Sequence, residues 1–283
     1  MKVLVTGATG KVGCRLIPSL IESGYDVRAL VRNSSNDMGK SLVDGGAEVL
    51  EGDILQPEGL SAAVDKIDAV VHLAAFFRSR DDEKIRTVNY VGTKNIADAM
   101  MKSNPKARFV FSSTSLAYSN NAGLALESDS LSPKRSYPAS KVAAEQYLLD
   151  LHRRNNLDLR ILRFPFVYGS GDPHLTEFLD IIEQLNWHPA QRLQMIHHYD
   201  IAQAVKLSLR IEEMNGEIYN VADDAPITLQ EIMQITHKIV RTGDSTVPLA
   251  NPWEGIMDTQ KIRKMGFRPL FPSVYVAKEL GAL

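Results

Sequence analysis

The stretch Val5-Thr6-Gly7-Ala8-Thr9-Gly10-Lys11-Val12-Gly13 decides how the chain is read. It joins the apolar run Val3-Leu4-Val5 to a helical pattern and puts three glycines at the junction. Glycine turns tightly and, lacking Cβ, lets the backbone approach a pyrophosphate closely. The helix that follows offers free N–H groups and the positive end of its dipole to such an anion. A glycine-rich turn without a ligand could look the same, but a place at the first strand–helix junction of a βαβ unit favours nucleotide binding. Gly7, Thr9, Gly10, Lys11, Val12 and Gly13 are therefore candidate cofactor contacts. Cys14, one residue on, reads as a small packing residue.

Outward from this turn, the first half alternates short apolar runs with helical patterns. Strands are expected at 3–5, 27–31, 47–50, 69–73, 108–111 and 159–162, with helices at 12–23, 57–66, 82–103 and 137–155. Continuously apolar runs suit parallel strands buried on both faces, so the fold class is α/β, a doubly wound parallel sheet. Beyond Arg163 the pattern loosens into helical stretches at 173–186, 199–212 and 228–241 around one clear strand at 217–221. The expected division is a Rossmann dinucleotide-binding domain of 1–163 plus 191–222, and a smaller mixed substrate-binding lobe of 164–190 plus 223–283. Residues 119–136, rich in Ser and Asn, read as a mobile loop.

Composition narrows the classes. The chain has 283 residues, 44% hydrophobic and 23% charged, with a formal net charge of −2. Such a balance gives no reason to expect nucleic acid or an anionic membrane as partner. Cys14 is the only cysteine, so neither an internal disulfide nor a cysteine-based metal cluster can form. No run approaches the ~20 apolar residues of a membrane span, and no signal-peptide pattern follows Met1, so a cytoplasmic location is the expectation.

The end of the second strand reads the adenosine ribose: an acid there favours NAD, and a nearby arginine can accept the extra phosphate of NADP. Here Leu30-Val31 runs into Arg32-Asn33-Ser34-Ser35, without an acid, so NADP is favoured and NAD remains possible. Asp53, followed by Ile54, is placed either to meet the adenine amino group or to cap a helix beginning near Pro57.

Hydride transfer at a carbonyl carbon needs a partner that moves a proton at the oxygen. Tyr137-Pro138-Ala139-Ser140-Lys141 supplies a tyrosine with a cation one helical turn on. Thr114, closing Phe111-Ser112-Ser113-Thr114 at a strand's carboxyl end, is the candidate hydroxyl for holding the substrate oxygen. Tyr90-Val91-Gly92-Thr93-Lys94 has the same spacing but no hydroxyl cluster upstream, and it reads as a decoy. Pro138 suits the first turn of a helix.

Taken in order, these motifs resemble the extended short-chain dehydrogenase/reductases, the NAD(P)-dependent epimerase/dehydratase group. The series comprises Gly7-x-x-Gly10-x-x-Gly13, Gly52-Asp53-Ile54, His72-Leu73-Ala74-Ala75, Asn89-Tyr90-Val91-Gly92-Thr93, Tyr137-x-x-x-Lys141, Leu162-Arg163-Phe164-Pro165 and His198-Tyr199-Asp200-Ile201-Ala202. The resemblance implies that Tyr137 donates or accepts the proton and Thr114 polarises the carbonyl. It further implies that Lys141 lowers the tyrosine pKa and bonds the nicotinamide ribose, which brings Tyr137 and Lys141 among the cofactor contacts. Leu73, Ala74 and Ala75 would line the dinucleotide path, and the backbone of Phe164-Pro165 would meet the carboxamide. Asn89 is counted with the cofactor-binding residues, although bonding local backbone accounts for it equally well. His72 reads as a packed strand residue. His197 and His198, adjacent in sequence, would point to opposite sides of a strand, and no metal is expected. The family pattern also suggests a homodimer through 82–103 and 137–155.

One departure bears on substrate. Sugar-nucleotide enzymes of the group usually carry asparagine where this chain has Phe166, and Leu162-Arg163-Phe164-Pro165-Phe166-Val167-Tyr168-Gly169 is closer to the hydroxysteroid and dihydroflavonol reductases. The leading expectation is an oxidoreductase moving hydride between nicotinamide and the carbonyl or secondary alcohol carbon of a small molecule, with Phe76, Phe77, Phe166 and the 119–136 loop as pocket walls. The alternative is an NAD-dependent sugar-nucleotide epimerase or dehydratase. A non-catalytic dinucleotide sensor is a third reading, but such relatives typically lose the tyrosine–lysine pair kept here.

Overall fold

The protein is described by a computed structural model covering residues 1–77, 79–118 and 122–283. Strands and helices alternate through the first part as β1 (Lys2–Thr6), α1 (Gly13–Glu22), β2 (Asp26–Val31), α2 (Asp37–Asp44), β3 (Glu48–Glu51), α3 (Leu60–Ala63), β4 (Ala69–His72), α4 (Asp82–Arg86), α5 (Gly92–Ser103), β5 (Arg108–Thr114), α6 (Ser136–Asn155) and β6 (Asp158–Phe164). There follow β7 (Phe166–Tyr168), α7 (His174–Leu185), β8 (Arg192–Leu193), β9 (Met195–His197), α8 (His198–Arg210), β10 (Glu217–Asn220), β11 (Ile227–Thr228), α9 (Leu229–Thr236), α10 (Gln260–Lys264) and α11 (Val274–Glu279).

Seven strands form one sheet in the order β3-β2-β1-β4-β5-β6-β10, and every pairing in it is parallel. The chain order reverses between β1 and β4, the switch point at which open α/β sheets bind ligands. Successive side chains of a strand face opposite ways, and both faces are buried here. Val3 and Val5 of β1 join Leu16, Ile17 and Leu20 of α1 and Val205 and Leu209 of α8 on one face. Leu4 joins Ile96 and Met100 of α5 and Leu148 of α6 on the other. A separate core gathers Phe178 and Ile182 of α7, Ile232 of α9, Phe271 and Val274. In this smaller C-terminal part β8 pairs with β11 and β7 with β9, apart from the main sheet. No helix among the described residues is long and apolar enough to cross a membrane.

Several elements differ from expectation. The helix expected over 82–103 is α4 and α5 joined by a wide π turn, Thr87–Val91, a feature found mostly as a single-turn bulge within helices. The one expected over 57–66 is a 3₁₀ turn plus the four-residue α3, closed by Lys66 at φ +53°. The helix expected over 228–241 stops at Thr236, because His237 turns left-handed at φ +54°. His197 ends β9 and His198 begins α8, so the two do not alternate across a strand. His197 caps that helix, accepting from the Tyr199 N–H. The loop expected at 119–136 begins outside the described residues. Its later part is tied down: the Ala125 N–H donates to the Ile256 carbonyl at 2.8 Å, and the Ala125 carbonyl accepts from Asp258 N–H at 2.9 Å.

One buried ion pair fixes α6 on the sheet. Arg163 of β6 donates Nε to Glu145 Oε1 at 3.0 Å and Nη2 to Oε2 at 2.6 Å, and both side chains are 2% exposed. Arg163 also bonds the Tyr118 hydroxyl. Removing one member leaves the other charged and unpaired in the interior, which costs far more than the pair contributes. Arg163→Met should therefore lower unfolding free energy by about 3–5 kcal/mol, read from urea denaturation, whereas Arg163→Met combined with Glu145→Leu should recover part of that loss.

Candidate active site

The turn between β1 and α1 is built by close backbone approach. Gly7 holds φ +70°, and a Cβ there would lie 2.7 Å from the Ala74 nitrogen and 2.8 Å from the Leu73 carbonyl carbon. A Cβ on Gly13 would meet the Gly7 carbonyl oxygen at 2.3 Å. Neither site has room for a side chain, so the glycine spacing keeps α1's first turn against the sheet. That turn has no side-chain cap, and its N–H groups can take an anion. Thr9, Gly10 and Lys11 are exposed there, with Val12 half-buried.

The segment after β7 crosses this helix end. Lys11 Nζ lies 3.0 Å from Asp172 Oδ1 and 3.1 Å from Glu177 Oε2. Arg15 donates to the Ser170 carbonyl at 2.8 Å. The other oxygen of Asp172 is 3.0 Å from His198 Nε2, and the Asp172 side chain is 2% exposed. Burial alone would raise the Asp172 carboxyl, but hydrogen bonds from His198 and Lys11, together with their charges, outweigh it and hold it well below the usual range.

At the end of β2, Arg32 is exposed. Beside it, Glu51 of β3 accepts from both the backbone N–H and the hydroxyl of Ser34, each at 2.7 Å. Asp53 accepts from the Leu55 N–H at 2.9 Å in a tight local turn. The 3₁₀ turn at Pro57 has no side-chain cap, which corrects the capping alternative for Asp53: the acid lies too early and bonds its own turn. Ile54 is buried, and its carbonyl accepts from Asn95 at 2.9 Å.

At the end of β4, Thr6 Oγ1 accepts from the half-buried Ala74's N–H at 3.3 Å, and Ala75 follows exposed. His72 is wholly buried between Thr6 Oγ1 (2.7 Å) and Thr93 Oγ1 (2.9 Å). Burial, with a smaller contribution from Lys141, brings His72 down to about 3, so the ring is neutral. Asn89 spends its amide on the main chain of Phe76 (2.7 and 3.1 Å) and on Ser140 Oγ (3.0 Å), tying the β4 loop to α6.

Tyr137 and Lys141 lie one turn apart on α6. The Tyr137 ring is 4.5 Å from that of Phe77, and burial pushes its hydroxyl up to about 12. Lys141 Nζ sits 4.1 Å from the centre of the Phe111 ring. Burial brings it down to about 7, against the opposing pull of Glu145. Lys141 thus does not lower Tyr137 in this arrangement; its ammonium faces Phe111 instead. Thr114 ends β5, its hydroxyl accepting from the Leu116 N–H at 3.2 Å. The other tyrosine–lysine pair is separate: Tyr90 packs edge-on to Tyr147 at 6.4 Å, and Lys94 pairs with Asp98 at 2.5 Å.

A cavity of about 1070 Å³ opens at the carboxyl ends of the strands, lined by Tyr137, Ser115, Phe77 and Phe166. Phe76 is not on its wall; that ring lies under the Lys84 ammonium at 4.8 Å, a correction that follows from the Asn89 clamp on its backbone. Walls that sequence reasoning did not foresee come from Phe178, Ile181 and Leu185 of α7 and from Trp187. Their spacing along α7 is that of an ordinary core stripe, and it gave no separate signal. A second cavity, about 540 Å³, lies at the amino ends of the strands between Met1, Asp68 and Pro105, on the far side of the sheet from Tyr137.

A doubly wound sheet with a glycine cradle at its switch point is the architecture of the short-chain dehydrogenase/reductases. The profile of the NAD dependent epimerase/dehydratase family matches residues 3–222, and the chain belongs to that family. A 4-hydroxy-2-methyl-3-oxo-4-farnesyl-3,4-dihydroquinoline-1-oxide ketoreductase of Stigmatella aurantiaca is 25% identical over 83% of this chain and 72% of its own. A UDP-glucose 4-epimerase of Vibrio cholerae is 32% identical over 60% of this chain and 52% of its own. The crystal structure of UDP-glucose 4-epimerase from Thermotoga maritima superposes with a TM-score of 0.79, at 21% identity, across 99% of both chains. The chain is accordingly a nicotinamide-dependent enzyme of the extended short-chain class.

The Lys11–Asp172–His198 contacts generate a pH test. Asp172 titrates lower in the folded chain than its unfolded value near ~4. Its contribution is therefore present above about pH 4 and lost as pH falls below it. Asp172→Asn should reduce stability at pH 7 by ~2 kcal/mol and reduce the further loss on acidification, measured by urea unfolding at neutral and acid pH.

Proposed function

We propose that the chain is an NADP-preferring oxidoreductase acting on a carbonyl or secondary alcohol, and that Tyr137 is its proton donor and acceptor. The observation that carries this reading is the placement of Tyr137 on the wall of the large cavity, at the carboxyl ends of the strands, with Lys141 one turn behind. The cradle at Gly7 and Gly13, where a Cβ would collide with backbone, and the uncapped start of α1 fit a dinucleotide pyrophosphate. When bound, the nicotinamide supplies or takes up the hydride. Gly7, Thr9, Gly10, Lys11, Val12 and Gly13 hold the pyrophosphate end, Asp53 and Ile54 the adenine, and Leu73, Ala74 and Ala75 line the path between. Lys141 holds the nicotinamide ribose, and the Phe164-Pro165 backbone meets the carboxamide.

The chemistry assigned to the side chains follows from their surroundings. A hydroxyl pushed up to about 12 keeps its proton at neutral pH and gives it to an oxygen that gains negative charge. That suits reduction of a ketone or aldehyde, with Thr114 polarising the same oxygen. The absence of an acid at the end of β2 and the exposed Arg32 favour NADP, whose extra phosphate the guanidinium can fork. Phe77, Phe166, Phe178 and Trp187 give one part of the pocket an aromatic wall for the apolar portion of a substrate, while Arg80, Lys134, Arg192 and Glu254 make the rest of the lining charged.

A second reading, a sugar-nucleotide epimerase or dehydratase, draws on the Vibrio cholerae and Thermotoga maritima relatives. Phe166 argues against it, because an apolar ring stands where a sugar-nucleotide site would use a polar contact. The two readings differ in how they treat cofactor. Stopped-flow fluorescence separates them: readily exchanging NADPH supports the reductase, and NAD(H) retained through turnover supports the epimerase. Tyr137→Phe should lower turnover by about 10²–10⁴-fold while leaving cofactor affinity near that of the wild type. Full activity in that variant would overturn the mechanism.

A further inference from the structure

The adenosine end of the groove contains an acid after all, supplied by a neighbouring strand. Val31 of β2 pairs in register with Glu51 of β3, so the end of β3 stands beside the turn that begins at Arg32. Glu51 Oε1 there takes both donors of Ser34, the backbone N–H and the hydroxyl, each at 2.7 Å. Those are the donors a ribose phosphate would seek on entering this turn. Glu51 is exposed and makes no ion pair among the described residues.

We propose that Glu51 is a cofactor-specificity residue that opposes the 2′-phosphate which Arg32 attracts, and so sets how strongly the enzyme prefers NADPH over NADH. The inference rests on the dinucleotide reading given above. A phosphate carries roughly −1.5 to −2 charges at neutral pH. To reach Ser34 it must displace the carboxylate or lie beside it. A ribose bearing a free 2′-hydroxyl meets no such repulsion, since a hydroxyl can donate to Glu51. Arg32 and Glu51 therefore pull the choice in opposite directions from the ends of adjacent strands.

The test is Glu51→Gln, which keeps an oxygen that accepts from Ser34 and removes only the charge. NADPH and NADH affinities of wild type and variant are measured by fluorescence titration at low and at high salt. The expected result is an NADPH affinity about five- to tenfold tighter at low salt, with the gain shrinking as salt rises, and an NADH affinity near that of the wild type. An unchanged ratio of the two affinities, or an equal shift in both, overturns the assignment. If wild type binds neither nucleotide, the dinucleotide reading itself falls, and this inference falls with it.

Discussion

At the centre of the molecule two pieces of main chain touch where no side chain could stand. Gly7, at φ +70°, lies against the Leu73–Ala74 backbone, and Gly13 lies against the Gly7 carbonyl. These contacts set the position of α1's first turn relative to the ends of β1 and β4. From that position follow the groove at the switch point and the direction in which the helix offers its free N–H groups. Thr6 extends the same contact in side chains, bonding the Ala74 N–H on one side and His72 on the other, and His72 reaches Thr93 in α5. The glycine loop is thereby joined through the sheet to the helices on its other face.

A second framework holds the proposed proton donor. Glu145 and Arg163 lock α6 to β6, and Asn89 binds α6 through Ser140 to the loop after β4. Tyr137 and Lys141 therefore project from a helix fixed at two points, and neither must be ordered by the substrate. Both groups are displaced from their solution values by burial, the tyrosine upward and the lysine downward. Lys141 is buried, whereas Tyr137 is half-buried and borders the cavity. The buried ring of Phe111 packs against the lysine, and the exposed ring of Phe77 packs against the tyrosine.

The main sheet was legible because its strands are short continuous apolar runs, as burial on both faces demands. The small strands were not: β7, β8, β9 and β11 have two or three residues each, too few for any periodicity. Helix ends failed where a non-glycine residue adopts the left-handed conformation, as His237 does after α9. Tyr137, Lys141 and the glycine loop were readable because each is a local pattern. Glu51 against Ser34, and Asp172 between Lys11 and His198, are contacts between positions far apart in sequence, and no local spacing announces them. Arg163 stands within a recognisable motif, but its buried partner Glu145 lies 18 residues away on another element, and no local pattern joins the two. Asn89 likewise bonds the Phe76 main chain across 13 residues; the Phe76 ring lies under Lys84 while Phe77 reaches the cavity.

Tyr137, Lys141 and Glu145 occupy one stripe of α6, each a turn from the next, so the cavity end and the anchoring end of the stripe share a single register. Each residue of an α-helix turns the next by about 100°. Inserting or deleting one residue between Tyr137 and Glu145 would swing the hydroxyl off the cavity wall or tear the carboxylate from Arg163. The segment from Tyr137 to Glu145 therefore has a fixed length in this fold, whereas the helix beyond Glu145 is under no such constraint from the ion pair.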